Sequence, residues 1–183
     1  MAKPFEPGQI GEFLPFMKKE TRDDVIYLLD QFIIILLTFF RGQIIIALAQ
    51  GILFAIGFAL VGLPYGIVIG ITLGLLNIIP YLGSIAGLGV ALPLAYFSND
   101  GGTLLVVLVL AVFVSVQAIE GYLLTPKITG KRTGLHPALI IFAVFFWGVA
   151  LEGILGMMLA IPLTAFAVVF WRLLKKKYIT EVL

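Results

Sequence analysis

Two acidic residues, Glu120 and Glu152, lie next to apolar runs, where an ionised carboxylate carries a large desolvation cost. Glu120 follows a long run of apolar and small residues and precedes the basic segment that contains Lys127 and Lys131. An acid in such surroundings usually faces a cavity or a partner. Glu120 is therefore either a proton carrier or an interfacial residue paired with one of these lysines. Glu152 separates the last two apolar runs and is either a loop residue on the outer face or an acid within the membrane.

Two further polar positions adjoin prolines. Asn77 lies three residues before Pro80, so its amide could pair with carbonyls that the proline frees or could line a polar path. Both alternatives stay open. His136 directly precedes Pro137, which indicates an interfacial residue at the start of a helix.

Basic residues at the edges of apolar runs indicate anchors. Arg41 precedes the apolar run 44–63 and is expected to reach the interface or to bind a lipid phosphate. Arg172 and Lys175 belong to a basic tail that follows Trp171, and we expect this tail to fix topology beside anionic lipids.

The chain lacks the residues that several classes of protein need for their function. The chain has no cysteine, which excludes disulfides, thiol catalysis and Cys-ligated metals, and its single histidine excludes a multi-His metal site within one chain. No motif of a hydrolase triad or a nucleotide-binding loop is present, and no basic patch carries interleaved aromatics. We therefore expect no enzyme activity, no catalytic residue, no metal, no cofactor and no nucleic-acid partner.

The composition points to a lipid environment for the residues above. The chain has 183 residues, of which 61% are hydrophobic and 12% are charged. Soluble domains carry about 25% charged residues. Prolines and glycines interrupt the apolar runs, and broken helices at membrane depth are tolerated only where protein or a water-filled cavity covers them. The sequence predicts an all-α, polytopic integral membrane protein with short, Gly/Pro-broken or re-entrant helices.

Polar breaks divide the chain into three predicted regions. A polar cytoplasmic lead-in covers residues 1–24, with Thr21 as an N-cap, and a basic cytoplasmic tail covers 172–183. The membrane domain covers 25–171. An interfacial or tilted helix over 25–40 is followed, after the break at 41–43, by these predicted segments: 44–63, 67–79, 82–97, 103–124, 138–151 and 154–171. Whether 67–97 and 138–171 cross the membrane or re-enter it stays open.

The distribution of lysine and arginine predicts an orientation. These residues gather near both termini and in the loop 125–137, whereas the loop 98–102 has none. Positively charged loops stay in the cytoplasm. We expect a multi-pass protein of the bacterial cytoplasmic (inner) membrane, with both termini in the cytoplasm.

Three stretches together resemble one protein family. Residues 74–83 read G-x-x-N-x-I-P-Y-x-G, residues 120–130 read E-G-x-x-x-x-P-K-I-x-G and lead to Leu-His-Pro at 135–137, and residues 153–162 read G-x-x-G-x-x-x-A-x-P. Arg41-Gly42-Gln43 also fits. The chain resembles the autoinducer-2 exporter family of bacterial permeases from about Leu14 to Trp171, which corresponds to the C-terminal half of such a protein.

The resemblance implies a transporter that exports a small polar solute such as the autoinducer-2 signal in quorum sensing. Some members are sodium(lithium)–proton antiporters, which makes H⁺ or Na⁺ an alternative cargo, and a homo-oligomer such as a pentamer is also implied. A non-transporting membrane oligomer module and a passive channel are the alternatives of another class. The candidates for the transport path are the motif residues Asn77, Pro80, Tyr81, Gly83, Glu120, Pro126, Lys127, His136, Pro137, Glu152, Gly153, Gly156 and Pro162.

Overall fold

The computed structural model describes residues 18–128 and 137–179, and within these residues it contains helices and no strand. The predicted fold class, an all-α polytopic membrane protein, is confirmed. The helices are α1 (Lys19–Leu60), α2 (Gly66–Leu76), α3 (Leu82–Phe97), α4 (Thr103–Ile119), α5 (Pro137–Ala150) and α6 (Ile154–Leu174). A π-helical turn (Glu120–Leu124) and a short α-helical turn (Thr125–Ile128) extend α4, and a second π-helical turn (Lys175–Ile179) follows α6.

Helix length separates two kinds of segment. Among the described residues, three helical stretches are long and apolar enough to cross a membrane: Lys19–Leu60, Thr103–Ile128 and Ile154–Lys177. The others, α2, α3 and α5, are apolar but have only 11, 16 and 14 residues. At a rise of 1.5 Å per residue these three span roughly 16 to 24 Å, less than the hydrocarbon core of about 30 Å.

The first helix differs from the sequence-based prediction. The sequence predicts a separate helix over 25–40 and a break at 41–43, whereas α1 runs without interruption from Lys19 to Leu60. No proline lies between Lys19 and Leu60, and a glycine such as Gly42, at the predicted break, costs a helix only about 1 kcal/mol. The helix also begins before Thr21, so Thr21 does not act as the N-cap.

The predicted turns are present, and they use left-handed backbone. Between α1 and α2, Gly62 has φ 77° and Tyr65 has φ 57°, and between α2 and α3 Tyr81 has φ 68°. The predicted segment 67–79 ends earlier than expected, at Leu76. A residue that precedes a proline is disfavoured in helical backbone. That restriction applies to Ile79, next to Pro80.

The chain divides into two compact units, of which residues 40–160 form the larger. Its main apolar core joins α1 to α4 around Phe58, Val109 and Ala95, each with none of its surface exposed. A second cluster joins Ile79 and Leu82 to α5 and the start of α6. The described part of the smaller unit comprises residues 18–39 and 161–179. In it Phe32 packs on Phe166, with 5.0 Å between the ring centroids, and Lys177 forms an ion pair with Asp24.

Candidate functional site

A chain of hydrogen-bonded amides crosses the core of the larger unit. Asn77 Nδ2 donates to Gln50 Oε1 at 2.6 Å, and Gln50 Nε2 donates to Gln117 Oε1 at 2.6 Å. Gln117 Nε2 then donates to Ser84 Oγ at 2.8 Å. We call these four residues the amide network. Half of it is buried, since Gln50 has 0% and Asn77 only 9% of its surface exposed, whereas Gln117 and Ser84 are half-buried.

The network joins four segments that lie far apart in the sequence. Gln50 comes from α1, Asn77 from the residue after α2, Ser84 from the first turn of α3, and Gln117 from the end of α4. A further amide fixes the backbone at the break between α2 and α3, because Gln43 Nε2 donates to the main-chain oxygen of Asn77 at 2.8 Å. Hydrogen bonds between membrane helices contribute about 0.6 to 2 kcal/mol each. The network therefore holds the broken segment against both long neighbours.

Glycines permit the close helix packing that brings these amides together. A Cβ added at Gly74 would lie 2.3 Å from Gly51 Cα, so α2 packs backbone to backbone on α1. A Cβ added at Gly83 would lie 2.6 Å from Leu73 O and 2.8 Å from Asn77 Cβ. The start of α3 therefore rests on the end of α2, and no larger residue would leave Asn77 in its present position.

One acceptor of the network lacks a partner. Asn77 Oδ1 is buried and has no hydrogen-bond partner among the residues that the structure describes. Leaving such an atom unpaired costs about 1 to 3 kcal/mol, so a water, an ion or a polar group of a solute is expected to bond to it. The network itself consists of three amides and a hydroxyl, so it can bind a polar group by hydrogen bonding without placing a formal charge in the core.

The candidates of the 77–83 motif lie at the break between α2 and α3. Asn77 belongs to the network, Pro80 and Tyr81 form the turn, and Gly83 provides the close contact described above. Tyr81 combines left-handed backbone with 40% exposure. This segment, selected from the sequence, has Asn77 as its buried polar residue, and its role in transport stays a prediction.

Glu120 lies one turn beyond Gln117, at the start of the π-helical turn that follows α4. The hydroxyl of Thr125 donates to its carboxylate. Pro126 and Lys127 occupy the following turn and are exposed. π-Helical turns are rare and occur often at functional sites, so the geometry keeps Glu120 as a candidate although it is not bonded into the network.

The third motif forms the tight turn between α5 and α6. Glu152 (φ 51°) and Gly153 (φ 147°) make this turn, and Glu152 is exposed. A Cβ added at Gly156 would lie 2.0 Å from Trp147 O, so α6 starts in direct contact with α5. Within the larger unit, Ile79 packs against Ala143, Val144 and Ala160. These apolar contacts join α5 and the start of α6 to the break at residues 77–83.

The remaining candidates are not members of the network. Pro162 is buried within α6, in the smaller unit. Pro137 starts α5, and His136 lies outside the described residues. The predicted anchors Arg41, Arg172 and Lys175 are all exposed. No group of three or more His, Cys, Asp or Glu side chains within 18–128 and 137–179 could hold a metal ion.

Sequence reasoning missed most of the network. It did not select Gln50, Ser84 or Gln117, and it used Gln43 only as part of a motif. A signal was available, because Gln50 and Gln117 are single amides within long apolar runs and polar residues inside membrane segments are usually functional. Their spacing of 67 residues, however, gives no indication that they touch.

Comparison with known proteins identifies the chain's relatives. The model of the AI-2E family transporter matches residues 10–176, slightly more than the predicted extent of 14–171. YueF of Bacillus subtilis strain 168, named as a candidate transport protein, is 36% identical over 74% of this chain. YrrI of the same strain, named in the same way, is 39% identical over 69% of the chain. No solved structure matches the chain.

These relatives are longer proteins. The matched region is 36% of YueF, 35% of YrrI and 42% of a candidate transport protein of Methanothermobacter thermautotrophicus, which is 35% identical. The chain thus spans between about a third and two fifths of the length of these three relatives. Since the family model nevertheless covers almost the whole chain, the chain belongs to the AI-2E family of transporters.

Proposed function

We propose that this chain forms the part of a membrane transporter in which a small, uncharged polar solute is bound, with Asn77 as the group that binds it. Membership of a transporter family and the names of the relatives support a membrane transport role. The autoinducer-2 signal is the solute that the family resemblance suggests. A homo-oligomer and an inner-membrane location are part of the same proposal.

The observation that carries the proposal is the unpartnered oxygen of Asn77 at a break between two short helices. Broken helices at membrane depth are the common location of transport sites, because their ends offer polar groups to a substrate. Here Gln43 and Gln50 both bond to Asn77 and position it at the break. A positioned polar group that lacks a protein partner is suited to bind a polar group of a solute.

The uncharged character of the network favours a neutral solute over an ion. A desolvated ion needs paired charges or several oxygen ligands, and among the described residues the network offers one unpaired oxygen, Asn77 Oδ1. Sodium(lithium)–proton antiport is the alternative, and it would require an acid such as Glu120 to carry the proton. Glu120 is bonded to Thr125, in the turn after α4, and its carboxylate is not a member of the network.

The test is uptake of labelled autoinducer-2 into proteoliposomes that contain the chain. We expect Asn77→Leu to lower the saturable uptake roughly tenfold, because it removes one hydrogen bond worth about 1 to 1.5 kcal/mol to the bound solute. Asn99→Leu is the matched control, since Asn99 is exposed in the loop between α3 and α4. Equal uptake by the two variants would contradict the proposal.

Assays in the same proteoliposomes distinguish the transporter from the antiporter, the passive channel and the assembly module. A change of internal pH driven by a sodium gradient, absent in Glu120→Gln, would favour the antiporter. Uptake that does not saturate would indicate a passive channel. An intact, monodisperse oligomer that moves no solute would indicate an assembly module, or a part of a transporter that needs the remainder of a longer protein.

A further inference from the structure

The amide network has a direction. Each amide nitrogen donates to the oxygen of the next residue, from Asn77 through Gln50 and Gln117 to the hydroxyl of Ser84. Because all three amides point the same way, the chain of bonds leaves an oxygen, Asn77 Oδ1, unpaired at its beginning.

The opposite direction satisfies the same contacts. A rotation of 180° about the bond that carries a primary amide exchanges the positions of its oxygen and nitrogen and leaves the shape of the side chain unchanged. A hydroxyl can either donate or accept. If all three amides turn over, Ser84 donates to Gln117, Gln117 donates to Gln50, and Gln50 donates to Asn77 Oδ1. Three internal hydrogen bonds remain, and the unpaired group of Asn77 becomes its NH₂.

Burial of Gln50 disfavours the arrangements in which only some of the amides have turned. Turning one amide alone places two N–H groups or two oxygens face to face within hydrogen-bond distance. Gln50 has no exposed surface, so water cannot compensate for the mismatch. Each unpaired buried polar group costs about 1 to 3 kcal/mol. Arrangements in which only some of the amides have turned are therefore minor states, and the two in which all three point the same way dominate.

We propose that the network exists in two directions, so that Asn77 presents either a hydrogen-bond acceptor or a hydrogen-bond donor to the solute. This inference rests on the proposed role of Asn77 in solute binding. Gln50, Gln117 and Ser84 are then positioning residues that set which atom Asn77 offers. The ligand class that fits is an uncharged group able to donate or accept, such as a hydroxyl, a carbonyl or an N-oxide.

The sequence makes a direct test practical, because Asn77 and Asn99 are the two asparagines of the chain. Labelling asparagine alone with ¹⁵N gives side-chain NMR signals of these two residues from the full chain in lipid nanodiscs, and Asn99→Ala assigns them. We expect Asn77 to show two amide environments whose populations differ by no more than about tenfold, because both directions contain three bonds of the same kind.

A single substitution should fix the direction. At alkaline pH the carboxylate of Gln117→Glu is ionised and only accepts, so Gln50 must donate to residue 117 and Asn77 must donate to Gln50. We expect one Asn77 environment in this variant, with its NH₂ bonded. Gln31→Glu, a change of the same kind outside the network, should keep both environments.

An acceptor-only probe tests the link to ligand binding. Trimethylamine N-oxide should shift wild-type Asn77 toward the state that presents its NH₂, and it should leave Gln117→Glu unchanged. One Asn77 environment in the wild type that the probe does not alter, or equal shifts in both proteins, would overturn the proposal. If Asn77 shows two NMR environments but the protein takes up no solute, only the transport role is contradicted. If uptake depends on Asn77 but Asn77 shows one NMR environment, only the two-direction proposal is contradicted.

Discussion

At the scale of single residues, Gln50 is the centre of the site. It bonds to Asn77 on one side and to Gln117 on the other, and it is fully buried in an apolar core. Asn77 could be selected from the sequence because it adjoins Pro80 at the end of an apolar run. Gln50 and Gln117 could not be joined from the sequence, because an amide within an apolar run indicates burial but not its partner.

Replacing Gln50 by leucine should destabilise the protein. The change keeps the size and apolar stem of the side chain but leaves Asn77 Nδ2 and Gln117 Oε1 without their partners. We expect the free energy of unfolding to fall by about 1 to 3 kcal/mol, as measured by denaturant titration in detergent micelles. Gln31→Leu is the control, and we expect its effect to be within about 0.5 kcal/mol of zero. Equal stabilities of the two variants would show that the network carries no such free energy.

At the scale of helices, glycine spacing determines how the broken segment packs. Gly66, Gly70 and Gly74 recur every fourth residue of α2, and a Cβ on any of them would approach within 3.0 Å of α1. Small residues at this spacing let membrane helices approach closely. The sequence predicts the turns after α1 and α2 from their Gly and Pro residues, but not the continuity of α1 through residues 41–43, because a polar Arg–Gly–Gln stretch interrupts hydrophobicity without interrupting helical hydrogen bonds.

Adding one methyl group to the interface of α1 and α2 should disrupt it. In Gly74→Ala the new Cβ would lie 2.3 Å from Gly51 Cα, and a backbone atom cannot give way as a side-chain end can. We expect a loss of about 1 to 3 kcal/mol in unfolding free energy, measured in the same titration. Gly89→Ala, in α3, has no atom within 4 Å of its new Cβ. It should be neutral or stabilising by up to about 1 kcal/mol, and a similar loss in both variants would contradict the packing argument.

At the scale of the whole molecule, composition determined the class of protein. So large an apolar fraction with so few charges leaves lipid as the solvent, and the helical structure with three stretches long enough to span agrees with that prediction. The orientation of the termini stays a prediction from lysine and arginine. The helices α2, α3 and α5, with 11 to 16 residues each, are shorter than the hydrocarbon core is thick, as the broken apolar runs in the sequence predict.

The role of Asn77 in solute binding is tested most directly by a high-resolution structure of the chain in lipid nanodiscs with autoinducer-2 bound. We expect a polar atom of the solute within about 2.7 to 3.2 Å of the Asn77 amide, with Gln50 still bonded to its other side. The same particles would show the number of subunits. A solute bound elsewhere, with the Asn77 side chain enclosed only by protein, would contradict a binding role for the amide network and leave it as a structural link between helices.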